Sequence, residues 1–302
     1  MLPTITARTV GLLLLPPLLW AGNAIVGRAL VGDFPPFALS FWRWTLALVL
    51  IAPFTAAELW RQRQVLRQWI GPLLAISAAG VGLYNSLQYL ALQSAGVVSV
   101  TLIGASIPVM TLLIGAAFFG ARIHQAQWLG AVVSALGVAL VVARGRLENL
   151  AQLHFALGDL IMLIAALSWG VYTWLLRRRR PPLALGPLLT AQIALGALMI
   201  LPFYLVEAAA GARIHWSGAN LAGLVYVAVL PSLVAYWCWD RGVARAGAVL
   251  PVLFANLIPV FAAGLATVFL DEAIAWYHLA GGILILAGIL VANRPAALAA
   301  HT

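Results

Sequence analysis

Polar and aromatic side chains recur inside the long apolar runs of this sequence, and their types suit binding rather than bond-making. A polar group is expensive in hydrocarbon, so within a membrane segment it tends to face a cavity or a partner. We therefore expect these residues to form the wall of one pocket: Trp20, Asn23, Tyr84, Asn85, Gln88, Ser168, Trp169, Tyr172, Gln192, Ser232, Tyr236 and Asn256. The alternative is that they only hydrogen-bond neighbouring helices.

Several of these residues are spaced so that a helix would present them together. Residues at i and i+4 lie on the same helix face. Three pairs have this spacing, namely Tyr84 with Gln88, Ser168 with Tyr172, and Ser232 with Tyr236. The spacing favours a pocket lined by single faces of several helices.

Arg43 is the one charge that a predicted span buries deeply. It lies about seven residues into its apolar run, roughly 10 Å deep at a rise of 1.5 Å per residue. It either pairs with Asp159 or offers its guanidinium to a substrate carboxylate, which a planar fork binds well. Both alternatives stay open. Arg28 lies close to the end of its run, where its long side chain can reach the headgroups.

The sequence lacks the patterns of several other functions. It has no Walker loop, zincin motif or dinucleotide fingerprint, and its five histidines lie in loops, at helix ends or in the tail. Cys238 is the sole cysteine, which excludes an intrachain disulfide and a cysteine-based metal site. We expect no enzyme, no cofactor and no metal.

The positions of the acidic residues argue against one further class of transporter. Asp33, Asp159, Glu207, Asp271 and Glu272 all lie at the ends of predicted helices. We therefore expect no carboxylate in the membrane interior. Exchange of protons against lipophilic cations commonly uses such a group, so a cationic-drug antiporter is disfavoured.

The composition requires a membrane to surround these residues. Of the 302 residues, 64% are hydrophobic and 8% are charged, whereas soluble domains carry roughly a quarter charged residues. The formal charge of +9 comes from arginines, with no lysine. They occur in short clusters between apolar runs, which indicates membrane topology rather than binding of nucleic acid. The expected partners are the lipid bilayer and a small-molecule substrate.

Ten apolar runs are long enough to cross a bilayer, which takes roughly 20 residues as a helix. We predict an all-α integral membrane protein with spans at 10–31, 36–56, 69–91, 97–119, 127–143, 158–176, 184–206, 219–239, 247–269 and 277–293.

An internal repeat divides these spans into two sets of five. Residues 95–123 align without gaps to residues 246–274, at an offset of 151, and the alignment pairs Pro108 with Pro259. Such a repeat indicates duplication and fusion of one unit. The prolines are expected in mid-helix, either as paired hinges or as static kinks. Gly130, Ser134 and Gly137, with Gly281 and Gly288, predict close helix packing within the chain or between two chains of a homodimer.

The arginines also predict an orientation. With a cytoplasmic N-terminus, 12 arginines lie inside and 3 outside, as the positive-inside rule favours. Because each unit has an odd number of helices, the second is inverted relative to the first. We predict a first repeat at 1–143, a periplasmic connector at 144–157, a second repeat at 158–294 and a cytoplasmic tail at 295–302.

Three segments carry a family resemblance. They are LLWAGNAIVGRALVGDFPPFALSFWRWTLAL from Leu18, GDLIMLIAALSWGVYTWLLRR from Gly158, and the paired Ile-Pro-Val helices, the second ending in FLDEAI before WYHLAGGILILAGILV. Together they resemble the EamA family of the drug/metabolite transporter superfamily. The resemblance implies ten helices in two inverted repeats, and export of small metabolites. The family usually has a Gly-Glu pair at the end of the fourth helix of each repeat. The second repeat keeps this pair approximately, as Asp271-Glu272, but the first repeat departs from it with Gly120-Ala121.

These observations lead to one functional hypothesis and its rivals. We expect an inner-membrane exporter of amino acids or similar zwitterions that works by alternating access. The rivals are a transporter of sugars or other metabolites, and a membrane protein that keeps the fold without transporting. If the protein is a transporter, five of the predicted pocket residues should line one cavity, namely Trp20, Tyr84, Gln88, Tyr236 and Asn256.

Overall fold

The described part of the chain forms helices joined by short connections. The computed structural model describes residues 6–30, 32–95, 100, 103–146, 148, 156–270 and 274–293. The longer helices within these ranges are α1 (Ala7–Ala29), α2 (Pro36–Arg61), α3 (Ile70–Ala91), α4 (Ile107–Phe119), α5 (Gln125–Val142), α6 (Leu157–Arg178), α7 (Leu185–Ala209), α8 (Gly218–Ala246), α9 (Val249–Ala255), α10 (Ile258–Leu270) and α11 (Trp276–Ala292). A short helix, Arg63–Gln68, precedes α3.

Seven helices of the described ranges are long and apolar enough to cross a membrane, namely α1, α2, α3, α5, α6, α7 and α8. The remaining labelled helices are apolar but shorter. Many large apolar side chains point outward, such as Phe54 at 86% and Phe118 at 79% exposure. Lipid solvates such surfaces, whereas a soluble monomer rarely exposes large apolar patches. The chain is therefore a multi-pass membrane protein.

The predicted spans agree with the observed helices to within a few residues, except in three places. The predicted span at 219–239 ends too early, because α8 continues to Ala246. The predicted spans at 97–119 and 247–269 are interrupted by turns. Most of the predicted connector, the tail at 295–302, Asp271, Glu272 and the side chain of Arg28 lie outside the described residues.

The two turns correct the expected position of the prolines. Residues 105–106 form a turn before α4, and residues 256–257, at the offset of 151, form a turn before α10. Pro108 and Pro259 are each the second residue of the helix that follows. The first-turn amides of a helix have no intrahelical acceptor, so proline fits there without loss of a hydrogen bond. The expectation of prolines inside continuous helices is therefore wrong, while the hinge role stays a prediction.

α3 and α8 each contain a π-helical segment, at Ala78–Leu83 and Ala228–Val234. A π turn redirects backbone carbonyls and often marks a functional site. Here the carbonyl oxygens accept bonds from distant side chains. The Trp20 indole N–H donates to the Pro231 oxygen at 3.1 Å, and the Tyr236 hydroxyl donates to the Gly80 oxygen at 2.6 Å. Each bond joins one half of the chain to the other.

The small residues of α5 and α11 pack within the chain. A Cβ atom on Gly137 would lie 2.7 Å from the Gly281 oxygen, and one on Gly288 would lie 2.7 Å from the Ser134 nitrogen. Glycine therefore permits the close approach of these two helices. Asn256 donates to the Ser134 hydroxyl at 2.9 Å, which ties the turn before α10 to α5.

The bundle has two ends, which we name by residues. At the Asp33 face, the α1–α2 connection contacts the α7–α8 connection, with Asp33 Oδ1 3.2 Å from His215 Nδ1. At the Arg61 face, α2 ends and the ends of α6 and α8 meet, where Arg177 donates to the Ala244 oxygen at 3.1 Å. These contacts fix which helix halves lie on the same side of the molecule.

Candidate functional site

An interior cavity of about 120 Å³ lies between the halves of the molecule. Its wall contains eight of the predicted pocket residues, Trp20, Asn23, Tyr84, Asn85, Gln88, Trp169, Tyr236 and Asn256, together with Pro259. All five residues whose convergence transport predicts are among them. Apolar side chains such as Met162 and Val138 complete the wall.

The cavity lies toward the Asp33 face. Its lining uses the part of α1 around Gly27 and the part of α3 around Leu92, both near that face. Gln88 lines the cavity, and its side-chain amide makes no hydrogen bond within the described part of the chain. Its amide is therefore available to a ligand.

Arg43 lies one layer behind this wall and is fully buried. Its Nε and Nη2 donate to the Ser232 hydroxyl at 2.9 and 2.6 Å. Its Nη1 donates to Asn85 Oδ1 at 3.0 Å, to the Tyr89 hydroxyl at 2.7 Å and to Asn23 Oδ1 at 3.4 Å. We call Arg43, Asn23, Asn85, Tyr89 and Ser232 the Arg43 cluster.

The Arg43 cluster contains no carboxylate. Asp159 is not a partner of Arg43, and its Oδ2 instead accepts from the Ala156 backbone at the start of α6 at 2.6 Å. A buried charge is costly unless paired or well hydrogen-bonded. Neutral groups satisfy the guanidinium but leave its charge in place, so its positive potential acts on the cavity wall through Asn23, Asn85 and Tyr89.

Tyr89 is a candidate site residue that was not among those predicted from the sequence. It lines the cavity, accepts from Arg43, and donates to Asn23 Oδ1 at 3.3 Å. The spacing could have indicated it, because Tyr89 follows Asn85 by four residues and so lies on the same helix face. Asn85 itself donates to the Tyr236 hydroxyl at 3.0 Å.

The remaining predicted pocket residues lie outside the wall. The Ser168 hydroxyl donates to the Ala79 and Ala165 oxygens at 3.2 and 2.9 Å, which matches the packing alternative. Ser232 belongs to the Arg43 cluster. Tyr172 and Gln192 lie deeper, beyond a layer of aromatic rings, and Pro108 also stands away from the cavity.

An aromatic layer closes the cavity toward the Arg61 face. Its members are Trp20, Trp44, Trp169, Tyr236 and Trp239. The Trp20 ring centroid lies 5.2 Å from those of both Trp169 and Trp239, and the Tyr236 centroid lies 5.0 Å from that of Trp44. Edge-to-face and tilted pairs at such distances are favourable.

A carboxylate lies beyond this layer, contrary to expectation. Asp240 is 2% exposed, and Oδ1 accepts from the Tyr172 hydroxyl at 3.0 Å. The same hydroxyl lies 3.4 Å from Gln192 Oε1. The expectation of no interior carboxylate is wrong because Asp240-Arg241 reads as the charged end of a span, whereas α8 continues past it. We call Asp240, Tyr172 and Gln192 the Asp240 cluster.

Apolar helices around a cavity with polar and aromatic walls define the class of this protein as a membrane carrier of small molecules. The particular family follows from its sequence. The chain belongs to the EamA-like transporter family, whose model matches residues 7–143 and 156–294.

Known relatives share this class. The chain is 27% identical over 300 residues to a probable terminal-alkyne amino-acid exporter of Streptantibioticus cattleyicolor, covering 95% of this chain and 94% of that protein. It is 25% identical over 290 residues to a probable amino-acid metabolite efflux pump of Escherichia coli, covering 93% of each.

A solved crystal structure shares the fold. It superposes with a TM-score of 0.76 at 23% identity, covering 95% of this chain and 97% of the other. At that identity the likeness concerns the fold alone.

Proposed function

We propose that this protein exports amino acids or similar small zwitterions across the inner (plasma) membrane by alternating access. The observation that carries the proposal is the buried Arg43 cation directly behind a cavity wall of amides and aromatic rings. A substrate carboxylate near Asn23, Asn85 and Tyr89 would accept hydrogen bonds from the amide nitrogens of Asn23 and Asn85 and would be attracted by the positive potential of Arg43.

The other cavity groups fit the rest of such a substrate. The rings of Trp20, Tyr84 and Trp169 offer flat faces to an ammonium group or an apolar side chain. The Gln88 amide offers a further hydrogen bond. A sugar would need more polar groups than this wall supplies, and a cavity of about 120 Å³ suits a small ligand. The names of the Streptantibioticus and Escherichia relatives point to the same substrate class.

For the architecture we propose ten spans in two inverted five-helix repeats, at 1–143 and 158–294. A periplasmic connector at 144–157 would join them, and a cytoplasmic tail at 295–302 would follow. Support comes from the π segments of α3 and α8, from the turns before α4 and α10, and from the offset of 151 between them. The arginine distribution supports a cytoplasmic Arg61 face.

The test is counterflow of labelled amino acids into liposomes that contain the purified protein, with labelled sugars in parallel. We expect exchange of one or more amino acids and none of the sugars. Gln88→Ala should raise the KM several-fold and leave stability unchanged, because the Gln88 side-chain amide has no hydrogen-bond partner among the described residues. Gln64→Ala, at an exposed position, is the matched control and should behave as wild type. Exchange of sugars but of no amino acid would contradict the proposal.

A further inference from the structure

The Asp240 cluster is a polar site that the cavity does not use. Asp240 and Gln192 are 2% and 0% exposed. Asp240 Oδ2 and Gln192 Nε2 are both buried without a hydrogen-bond partner in the described part of the chain. The indole nitrogens of Trp44 and Trp239, in the aromatic layer, are also unpartnered. Buried polar groups are nearly always paired, so such unpaired groups call for an explanation.

The cluster is arranged so that the charge of Asp240 is poorly compensated. The hydroxyl of Tyr172 donates to Oδ1, the Gln192 side chain also acts on the carboxyl, and Tyr236 lies one turn earlier on the same helix. Arg180, just beyond the end of α6, is the cation that acts on it from the Arg61 face. A buried carboxylate whose nearest side chains are neutral carries its charge at a high desolvation cost, and a proton on Oδ2 would remove that charge.

We propose that Asp240 is the proton-binding site of this carrier and couples transport to the pH gradient. The proposal rests on the proposed function. Oδ2 takes one proton and becomes a neutral carboxyl, and it releases the proton when the aromatic layer opens toward the Arg61 face. Tyr172 holds the carboxyl in place through Oδ1 in both states.

A proton fits this site better than a metal cation does. Hard cations such as Mg²⁺ and Ca²⁺ take six or more oxygen ligands. The cluster offers only the oxygens of Asp240, Tyr172 and Gln192, and the described residues contain no group of three metal-ligating side chains. Intramembrane carboxyl groups are commonly functional, and proton relays are among their roles.

The first experiment needs no substrate. Infrared difference spectra of the purified protein between acidic and alkaline pH should show the carbonyl band of a protonated carboxyl group. Asp240→Asn should remove that band, and Asp240→Glu should shift it rather than abolish it. Glu58→Gln, a half-buried position near the end of α2, is the matched control and should leave the Asp240 band unchanged. If neither Asp240 variant alters the spectrum, the assignment of Asp240 as the proton-binding site is wrong.

The second experiment measures coupling in liposomes with a labelled amino-acid mixture. Wild type and Glu58→Gln should accumulate label under an imposed pH gradient and should also perform counterflow without one. Asp240→Asn should keep counterflow and lose gradient-driven accumulation. Accumulation by Asp240→Asn at the wild-type level would overturn the inference. Absence of counterflow in wild type would instead contradict the proposed function, and the infrared result would stand on its own.

Discussion

The Arg43 cluster and the Asp240 cluster lie on opposite sides of the aromatic layer and occupy corresponding positions in the two halves of the chain. Arg43 is seven residues after Pro36, the start of α2, and Gln192 is seven residues after Leu185, the start of α7. Tyr89 and Asp240 are related by the offset of 151 residues.

The chemistry at these corresponding positions is opposite. One cluster contains a cation whose bonding atoms all have partners, and the other an anion with an unpartnered oxygen. On the proposed duplication of one unit, the positions of the polar groups were conserved while their charges diverged. If the halves are inverted as proposed, the two clusters would give the two sides of the membrane different binding chemistry.

The largest expected effect is that of Arg43→Gln. The substitution leaves Asn85, Tyr89 and Ser232 without their charged donor, and each unsatisfied buried group costs about 1–3 kcal/mol. We expect a lower melting temperature and at least about a tenfold loss of amino-acid counterflow, equivalent to about 1.4 kcal/mol. Arg43→Lys should recover only part of both, because an ammonium lacks the planar fork.

Arg67→Gln, an exposed position on the short helix before α3, is the control for Arg43→Gln and should match wild type. An Arg43→Gln protein with wild-type stability and wild-type exchange would show that the two clusters do not differ in the way described.

An intermediate effect should distinguish Tyr89→Phe from Tyr172→Phe. Each removes a hydroxyl bonded to a charged group, worth about 1.5–3 kcal/mol. Arginine stays charged at all accessible pH values, so the cost of Tyr89→Phe should not depend on pH. The cost of Tyr172→Phe should fall toward acidic pH, because the carboxylate it serves becomes neutral.

Thermal unfolding of both phenylalanine variants across a pH series measures this difference. Equal pH dependence of the two variants would mean that Asp240 does not change its charge. The two clusters would then differ only in the geometry of their hydrogen bonds.

The smallest expected effect is that of Pro108→Ala and Pro259→Ala. Both prolines begin helices after a turn, so each change should alter stability by no more than about 1 kcal/mol. If the turns are hinges of inverted repeats, the two variants should favour opposite facing states. Accessibility labelling of one introduced cysteine in a Cys238→Ala background reports this. Identical labelling of the two variants would favour static turns.

Much of the helical framework can be predicted from hydropathy, because bilayer thickness sets the length of a span. The span predicted at 69–91 is observed as Ile70–Ala91, and that at 277–293 as Trp276–Ala292. The turns before α4 and α10 escaped prediction because each contains a single polar residue, Ser106 or Asn256, inside a run that is otherwise apolar. Averaged over the length of a span, hydropathy therefore does not reveal such a break.

The candidate site is also predictable only in part. Asn23, Asn85 and Gln88 are visible because a polar residue stands out in an apolar run. The partners of Arg43 cannot be recognised in the sequence, because Ser232, for example, lies 189 residues away and only folding brings it near. Asp240 was missed for the opposite reason, since an acid beside an arginine near the end of a run reads as a surface residue.

The π segment of α3 has a consequence for comparing this chain with its relatives. Each α-helical residue advances the side-chain direction by about 100°, so a one-residue change in the length of Ala78–Leu83 would turn every later residue of α3 by that angle. Asn85 and Tyr89 would then leave the cavity wall, although their sequence neighbourhood stayed the same. A single-residue gap at this position in an alignment therefore signals a different set of wall residues.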